Sequence, residues 1–168
     1  MDTPSIYVAC LAAYNNGILH GKWISVDQSE NGIYDEIHDM LEESPIEGAE
    51  EFALHDYEGF GDIKLSEYED LKTIVKYAEF ISEHGELGQA LIADYGVDEA
   101  NRMMEDGYQG SYDSEVDFAE HIIEECYSNA IPNSLICYFD FRAFARDLFI
   151  GEFCSVSAEG NIHVFSCY

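Results

Sequence analysis

The 35 Asp and Glu residues of this chain face only 7 Lys and Arg, a formal net charge of -28 at pH 7. This excess restricts the fold more than any motif does. Like charges at close range oppose a compact state, and ordinary domains carry a net charge of roughly 2 to 8 in magnitude. The chain can fold only if its carboxylates reach solvent while its apolar residues still make a core. Hydrophobic residues make up 47% and aromatics 14%, a content that acidic disordered tails lack. A length of 168 residues suits one large domain, or two to three small modules sharing a core.

The pattern along the chain predicts an α+β fold in three modules: a β-rich N-terminal one (1–64), a helical central one (65–107) and an α+β C-terminal one (108–168). Ile6 to Ala12 and Ile18 to Ser25 read as strands around the turn Tyr14-Asn15-Asn16-Gly17. Ile33, Ile37, Met40 and Leu41 recur at helical spacing and Pro45 stops that helix. Glu51 to Leu54 reads as a short strand entering a loop, His55 to Gly61. Ser66 with Glu69 makes a capping pattern ahead of Leu71, Ile74, Ala78 and Ile81, with Gly85 as C-cap. Shorter helices over Leu87 to Tyr95 and Asp98 to Asp106 follow. Ser114 with Asp117 starts a further helix ending near Asn129. Then come a strand over Leu135 to Phe139, a helix from Phe141 to Phe149 capped by Asp140, and a hairpin of Cys154 to Ser157 with Ile162 to Ser166. Trp23, the only Trp, is expected in the core.

The acids come in one-signed runs. There are 13 between Trp23 and Ile63 and 9 between Met103 and Phe141, with no Lys or Arg in either stretch. On a helix, like charges three or four apart cost roughly 0.2 to 0.5 kcal/mol per pair, so local stability does not explain them. B-DNA carries one charge per ~1.7 Å of axis, so the net charge matches about 14 base pairs. Fixed carboxylates at such a density would draw the electrostatic attraction that a DNA-binding groove offers to phosphates. The plainer alternative is a solvated acidic surface suited to high salt, and charge alone does not separate the two. The partner is expected to be basic, and neither nucleic acid nor an anionic membrane.

Other chemistry finds less support. Asp56, Glu58, Gly61 and Glu67 fall on positions 1, 3, 6 and 12 of a calcium loop, but Phe60 at position 5 and a strand-like entry spoil it. An acidic divalent-metal-binding protein and a hydrolase using paired carboxylates are the alternative readings. No one pair of carboxylates stands out as catalytic. The six His show no zinc spacing, no nucleophile elbow or phosphate loop occurs, and no cofactor is expected. Five cysteines without close pairs, and no leader-like segment, fit reduced thiols in the cytoplasm. The apolar runs fall far short of the roughly 18 residues that span a bilayer.

A series of short motifs carries a resemblance. It runs from Ile6-Tyr7-Val8-Ala9, Tyr14-Asn15-Asn16-Gly17 and Gly21-Lys22-Trp23 to His55-Asp56-Tyr57-Glu58-Gly59-Phe60. It continues through Tyr108-Gln109-Gly110, Tyr112-Asp113, Asp117-Phe118-Ala119, Phe144-Ala145-Arg146-Asp147-Leu148 and His163-Val164-Phe165. In this order they resemble the ArdA antirestriction family over essentially the whole chain. The resemblance implies an elongated, non-enzymatic DNA mimic, carried on a mobile genetic element, that dimerises through its C-terminal part. It would bind the DNA-binding groove of type I restriction-modification enzymes. The mimicking surface would then comprise Asp35, Glu36, Asp39, Glu42, Glu43, Glu47, Glu50, Glu51, Asp56, Glu58 and Asp62 in the first module. Glu79, Glu83, Glu86, Asp98, Glu99, Glu105 and Asp106 follow in the second, and Asp113, Glu115, Asp117, Glu120, Glu124 and Glu125 in the third. Phe139, Phe141, Arg142, Phe144, Arg146 and Phe149 are the candidate dimer interface, with an intramolecular ion pair as the alternative role of the two arginines.

Overall fold

The computed structural model describes residues 3–127 and 130–167. Both helices and antiparallel strands are present, so the class is α+β, and the chain divides into two compact units that meet at Val97 and Asp98.

The first unit is built on a three-stranded antiparallel sheet in the order β2-β1-β3, from β1 (Ser5–Cys10), β2 (Gly21–Ser25) and β3 (Phe52–Glu58). Strand alternation sends Ile6, Val8 and Ile24 to one face, and all three are fully buried. Helix α2 (Glu30–Glu42) lies on that face. The Ser29 hydroxyl caps it by accepting from the Gly32 N–H at 3.2 Å. Its Ile33, Ile37, Met40 and Leu41 are buried, as their spacing predicts. Helix α3 (Leu71–Tyr95) packs on α2 and contributes Leu71, Ile74, Ala78 and Ile81 to the same core. At Gly85 the backbone turns to φ 60°, ψ -139°, which breaks α3 into segments 71–84 and 86–95. Only glycine tolerates that conformation cheaply, so the expected stop at Gly85 is real even though helix resumes one residue later.

Several expectations need correction here. Between β1 and β2 the chain forms a short helix α1 (Leu11–Asn15) rather than a tight turn. Ala13 provides the reason: it is fully buried, and its carbonyl accepts from both Asn16 and Ile18 N–H groups, closing a helical turn. Gly17 then takes the positive φ of 73° that ends it. Strand β3 runs on past a bulge at His55 to Glu58 because β1 supplies partners for Asp56, Tyr57 and Glu58, so the loop begins only at Gly59. Ser66 does not cap α3. The Ser66 N–H donates to Glu69 at 3.2 Å within a separate turn, and the helix starts at Leu71 behind Asp70. Trp23 points to the uncovered face of the sheet and is 44% exposed, not core.

The second unit opens with α4 (Val97–Arg102), which passes into a π-helical turn at Met103–Gly107. Its sheet has the order β4-β6-β5, from β4 (Tyr108–Tyr112), β5 (Phe153–Ala158) and β6 (Asn161–Ser166). The hairpin β5-β6 closes through Glu159 and Gly160, both at positive φ. Helix α5 (Glu115–Cys126) begins at Ser114, whose hydroxyl accepts from Asp117 N–H at 3.2 Å, and α6 (Phe141–Gly151) begins at Asp140, which accepts from Ala143 N–H at 3.0 Å. Phe118, Ala119, Ile123, Ala145, Val156, Val164 and Phe165 form the core.

Strand β4 has no counterpart in the sequence pattern, which marks no element over Tyr108 to Tyr112. The segment 135–139 is a further correction: it holds a single 3-10 turn at Ile136–Tyr138 and no strand. Leu135 and Tyr138 are 54% and 84% exposed, and no described strand pairs with this segment. Asn129, where α5 was expected to end, lies outside the described residues.

Candidate functional site

Hydration of an ionised carboxylate is so favourable that burial without a partner is prohibitive. Accordingly, the only buried polar side chain among the described residues is His163, whose Nδ1 lies 3.0 Å from the Tyr108 hydroxyl. Every described carboxylate therefore keeps contact with solvent. Of the acids assigned to the surface from the sequence, Glu36, Glu99 and Glu115 are half-buried and the rest are exposed.

The elements set where these charges stand. On α2, Asp35, Asp39 and Glu42, with Glu43 just beyond, lie opposite the buried row of Ile33, Ile37 and Met40. Glu47, Glu50 and Glu51 follow in the connection to β3. Asp56 and Glu58 stand on β3 itself, two residues apart on one face, and Asp62 follows in the turn after it. Glu79 and Glu83 are four apart on α3 ahead of Gly85, with Glu86 just after it. In the second unit Asp98 and Glu99 stand on α4, Glu105 and Asp106 on the π-helical turn, and Asp113 before α5. Asp117, Glu120 and Glu124 form one exposed row on α5, opposite Phe118, Ala119 and Ile123, with Glu125 beside it.

A minority of these acids have partners within the protein. Glu36 accepts from Gln28 Nε2 at 2.8 Å and from Lys22 Nζ at 2.6 Å. The Gln28 bond first and the Lys22 bond second hold its carboxyl below the usual range, and the same pairing raises the Lys22 ammonium. Glu115 accepts from Ser155 at 3.0 Å, tying α5 to β5. Glu99 pairs with Arg102 at 3.0 Å, Glu58 accepts from Ser5 at 3.2 Å, and Asp117 bonds to Ser114. By contrast Asp35, Asp39, Glu43, Glu120 and Glu124 have no ion-pair partner among the described residues. The sequence did not distinguish the tied acids from the free ones. It also passed over Asp27, Glu67, Asp70, Asp94 and Glu152, which are just as exposed.

The candidate interface residues form two groups. Phe139, Phe141 and Phe144 cluster, with ring centroids 4.9 and 5.6 Å from Phe139. Phe149 instead packs on Phe118 at 5.7 Å and on Phe153. Arg146 pairs with the adjacent Asp147 at 2.9 Å, whereas Arg142 is exposed and has no ion-pair partner among the described residues. No group of His, Cys, Asp and Glu among the described residues is arranged to hold a metal ion, and none of their helices is long and apolar enough to cross a membrane.

Two small antiparallel sheets, helices capped by Ser and Asp, and carboxylates exposed throughout define an acidic α+β protein whose charge is held out to solvent. Residues 6–163 match the family model of the antirestriction protein (ArdA), and the chain belongs to that family. A search of curated proteins finds no match. Membership carries an antirestriction function, directed at restriction-modification enzymes.

Proposed function

We propose that the protein works by DNA mimicry, occupying the DNA-binding groove of a type I restriction-modification enzyme and excluding DNA from it. The observation that carries this reading is the state of its charges: no described carboxylate is buried, and few are neutralised by the protein's own cations. An array of fixed, unpaired carboxylates collects a counterion atmosphere, as phosphates do, and a basic groove that receives it gains by releasing those ions. The reading includes no catalytic step, no cofactor and no metal. It also includes a homodimer formed through the C-terminal aromatic residues, action in the cytoplasm, and carriage by a mobile element entering a new host.

The test is a DNA-binding assay with a type I enzyme at low salt. Purified protein should abolish DNA binding in proportion to its concentration, with no added cofactor, and more DNA should restore it. Full DNA binding at a large excess of the protein would refute mimicry.

A further inference from the structure

The uncovered face of the first sheet holds a feature that charge matching does not explain. Tyr7 on β1 stands directly opposite Trp23 on β2 and Asp56 on β3, so the three side chains form one row across the sheet. Ser25, Ser5 and Glu58 form the next row, with the Ser5 hydroxyl donating to Glu58 at 3.2 Å. The rings of Tyr7 and Trp23 lie 5.5 Å apart at an angle of 54°. Gly21 makes room for them: a Cβ there would fall 2.7 Å from the Tyr7 hydroxyl and 2.5 Å from the Val8 carbonyl. Lys22, the nearest cation in sequence, points to the opposite face and is held there by Glu36. Trp23 is nevertheless 44% exposed.

An exposed Trp supported by a second ring, with carboxylates on the strand beyond that ring, has one well-matched ligand in a basic groove. We infer that this row, Trp23 and Tyr7 with Asp56 and Glu58, receives an arginine of the partner enzyme, its guanidinium stacking on the aromatic pair and donating to the carboxylates. The inference rests on the mimicry proposed above and adds a preference that mimicry lacks. Phosphate-like charge attracts Lys and Arg alike. A planar, weakly hydrated guanidinium also stacks on aromatic faces and presents a fork of donors, whereas an ammonium is a compact, strongly hydrated point charge. The reach is adequate. Strands lie about 4.8 Å apart, so Trp23 and Asp56 stand roughly 10 Å apart with Tyr7 midway, and a guanidinium over Tyr7 stands about one strand spacing from each. A nucleobase would stack on Trp23 equally well, but it arrives with a phosphate that a chain of net charge -28 repels.

Because Trp23 is the only Trp in the chain, its fluorescence reports on this row alone. The intact protein is titrated at low salt with hexa-arginine and with hexa-lysine, while calorimetry gives the affinities. Both peptides should bind, only hexa-arginine should change the Trp emission, and it should bind about two- to fivefold more tightly. Trp23→Leu should lose that preference and keep its affinity for hexa-lysine. Trp23→Phe, a milder change should the first variant fail to fold by circular dichroism, should retain part of it. Asp56→Asn combined with Glu58→Gln should weaken hexa-arginine binding more than hexa-lysine binding. Equal affinities and equal spectra for the two peptides in the unaltered protein would overturn the inference. So would an undiminished preference in folded Trp23→Leu, or a Trp response to a single-stranded oligonucleotide in place of the arginine peptide. The DNA-competition assay is read separately, so a protein that competes with DNA yet shows no arginine preference refutes the arginine site alone.

Discussion

At the scale of single residues the carboxylates are not equivalent. Glu120 is exposed and makes no ion pair among the described residues, so it is one contact among many in a mimic. Exposed ion pairs contribute about 1 kcal/mol or less, so Glu120→Gln should weaken inhibition by no more than about fivefold in a competition titration. Replacing Asp117, Glu120 and Glu124 together should cost much more than any one of them. Glu36 belongs to the fold instead, bonded to Gln28 and Lys22. Its carboxyl is held low, so its contribution is complete above the ordinary value of 4.5 and disappears as pH falls through the lower folded value. Glu36→Gln should therefore melt at a slightly lower temperature than the unaltered protein at pH 7, and the difference in Tm should vanish in acid. A difference that grew in acid would contradict the pairing. That these residues are acids exposed to water was legible in the sequence, because ionised carboxylates have almost nowhere else to go. Which of them are tied down was not, since Gln28 and Ser155 are brought to Glu36 and Glu115 by tertiary packing. Trp23 lies on the exposed face and not in the core; strand alternation marks two faces without saying which one a helix will cover.

Among the elements, those with a local chemical signature were legible. Ser114 and Asp140 announce α5 and α6, and the strand-forming runs Cys154 to Ser157 and Ile162 to Ser166 announce the hairpin of β5 and β6. Ser114→Ala should cost about 1 kcal/mol of stability, measured by urea unfolding. Gly85→Ala should cost about 1 to 3 kcal/mol, because the residue sits in backbone space that side chains disfavour. If Gly85→Ala were neutral, the break in α3 would not be imposed at that residue. Elements that depend on distant partners were not legible. Strand β4 has a bulge next to Gly110 and no run of apolar residues, and it is a strand only because β6 lies beside it. Leu135 to Phe139 has the opposite history: strand-forming side chains, but no neighbouring strand to pair with. Its Leu135 and Tyr138 remain exposed, beside the Phe139 cluster that the proposed dimer would use.

Over the whole molecule, the net charge of -28 acts on folding and on binding in opposite directions. Salt screens the repulsion among the carboxylates, with a Debye length near 10 Å at 0.1 M, so the protein alone should become more stable as salt rises from low to physiological concentration. Binding through those same carboxylates should weaken over that range, because a partner that releases condensed ions loses affinity as salt is added. The most direct test of mimicry is the dissociation constant between the protein and a type I enzyme, measured from 50 to about 200 mM salt with and without saturating DNA. Contacts equivalent to 6 to 10 phosphates lower affinity by about 10³- to 10⁵-fold over that range on DNA itself. The account predicts a loss approaching this size, and no binding at any salt while DNA fills the groove. An affinity nearly independent of salt, or binding that persists on the DNA-bound enzyme, would contradict it.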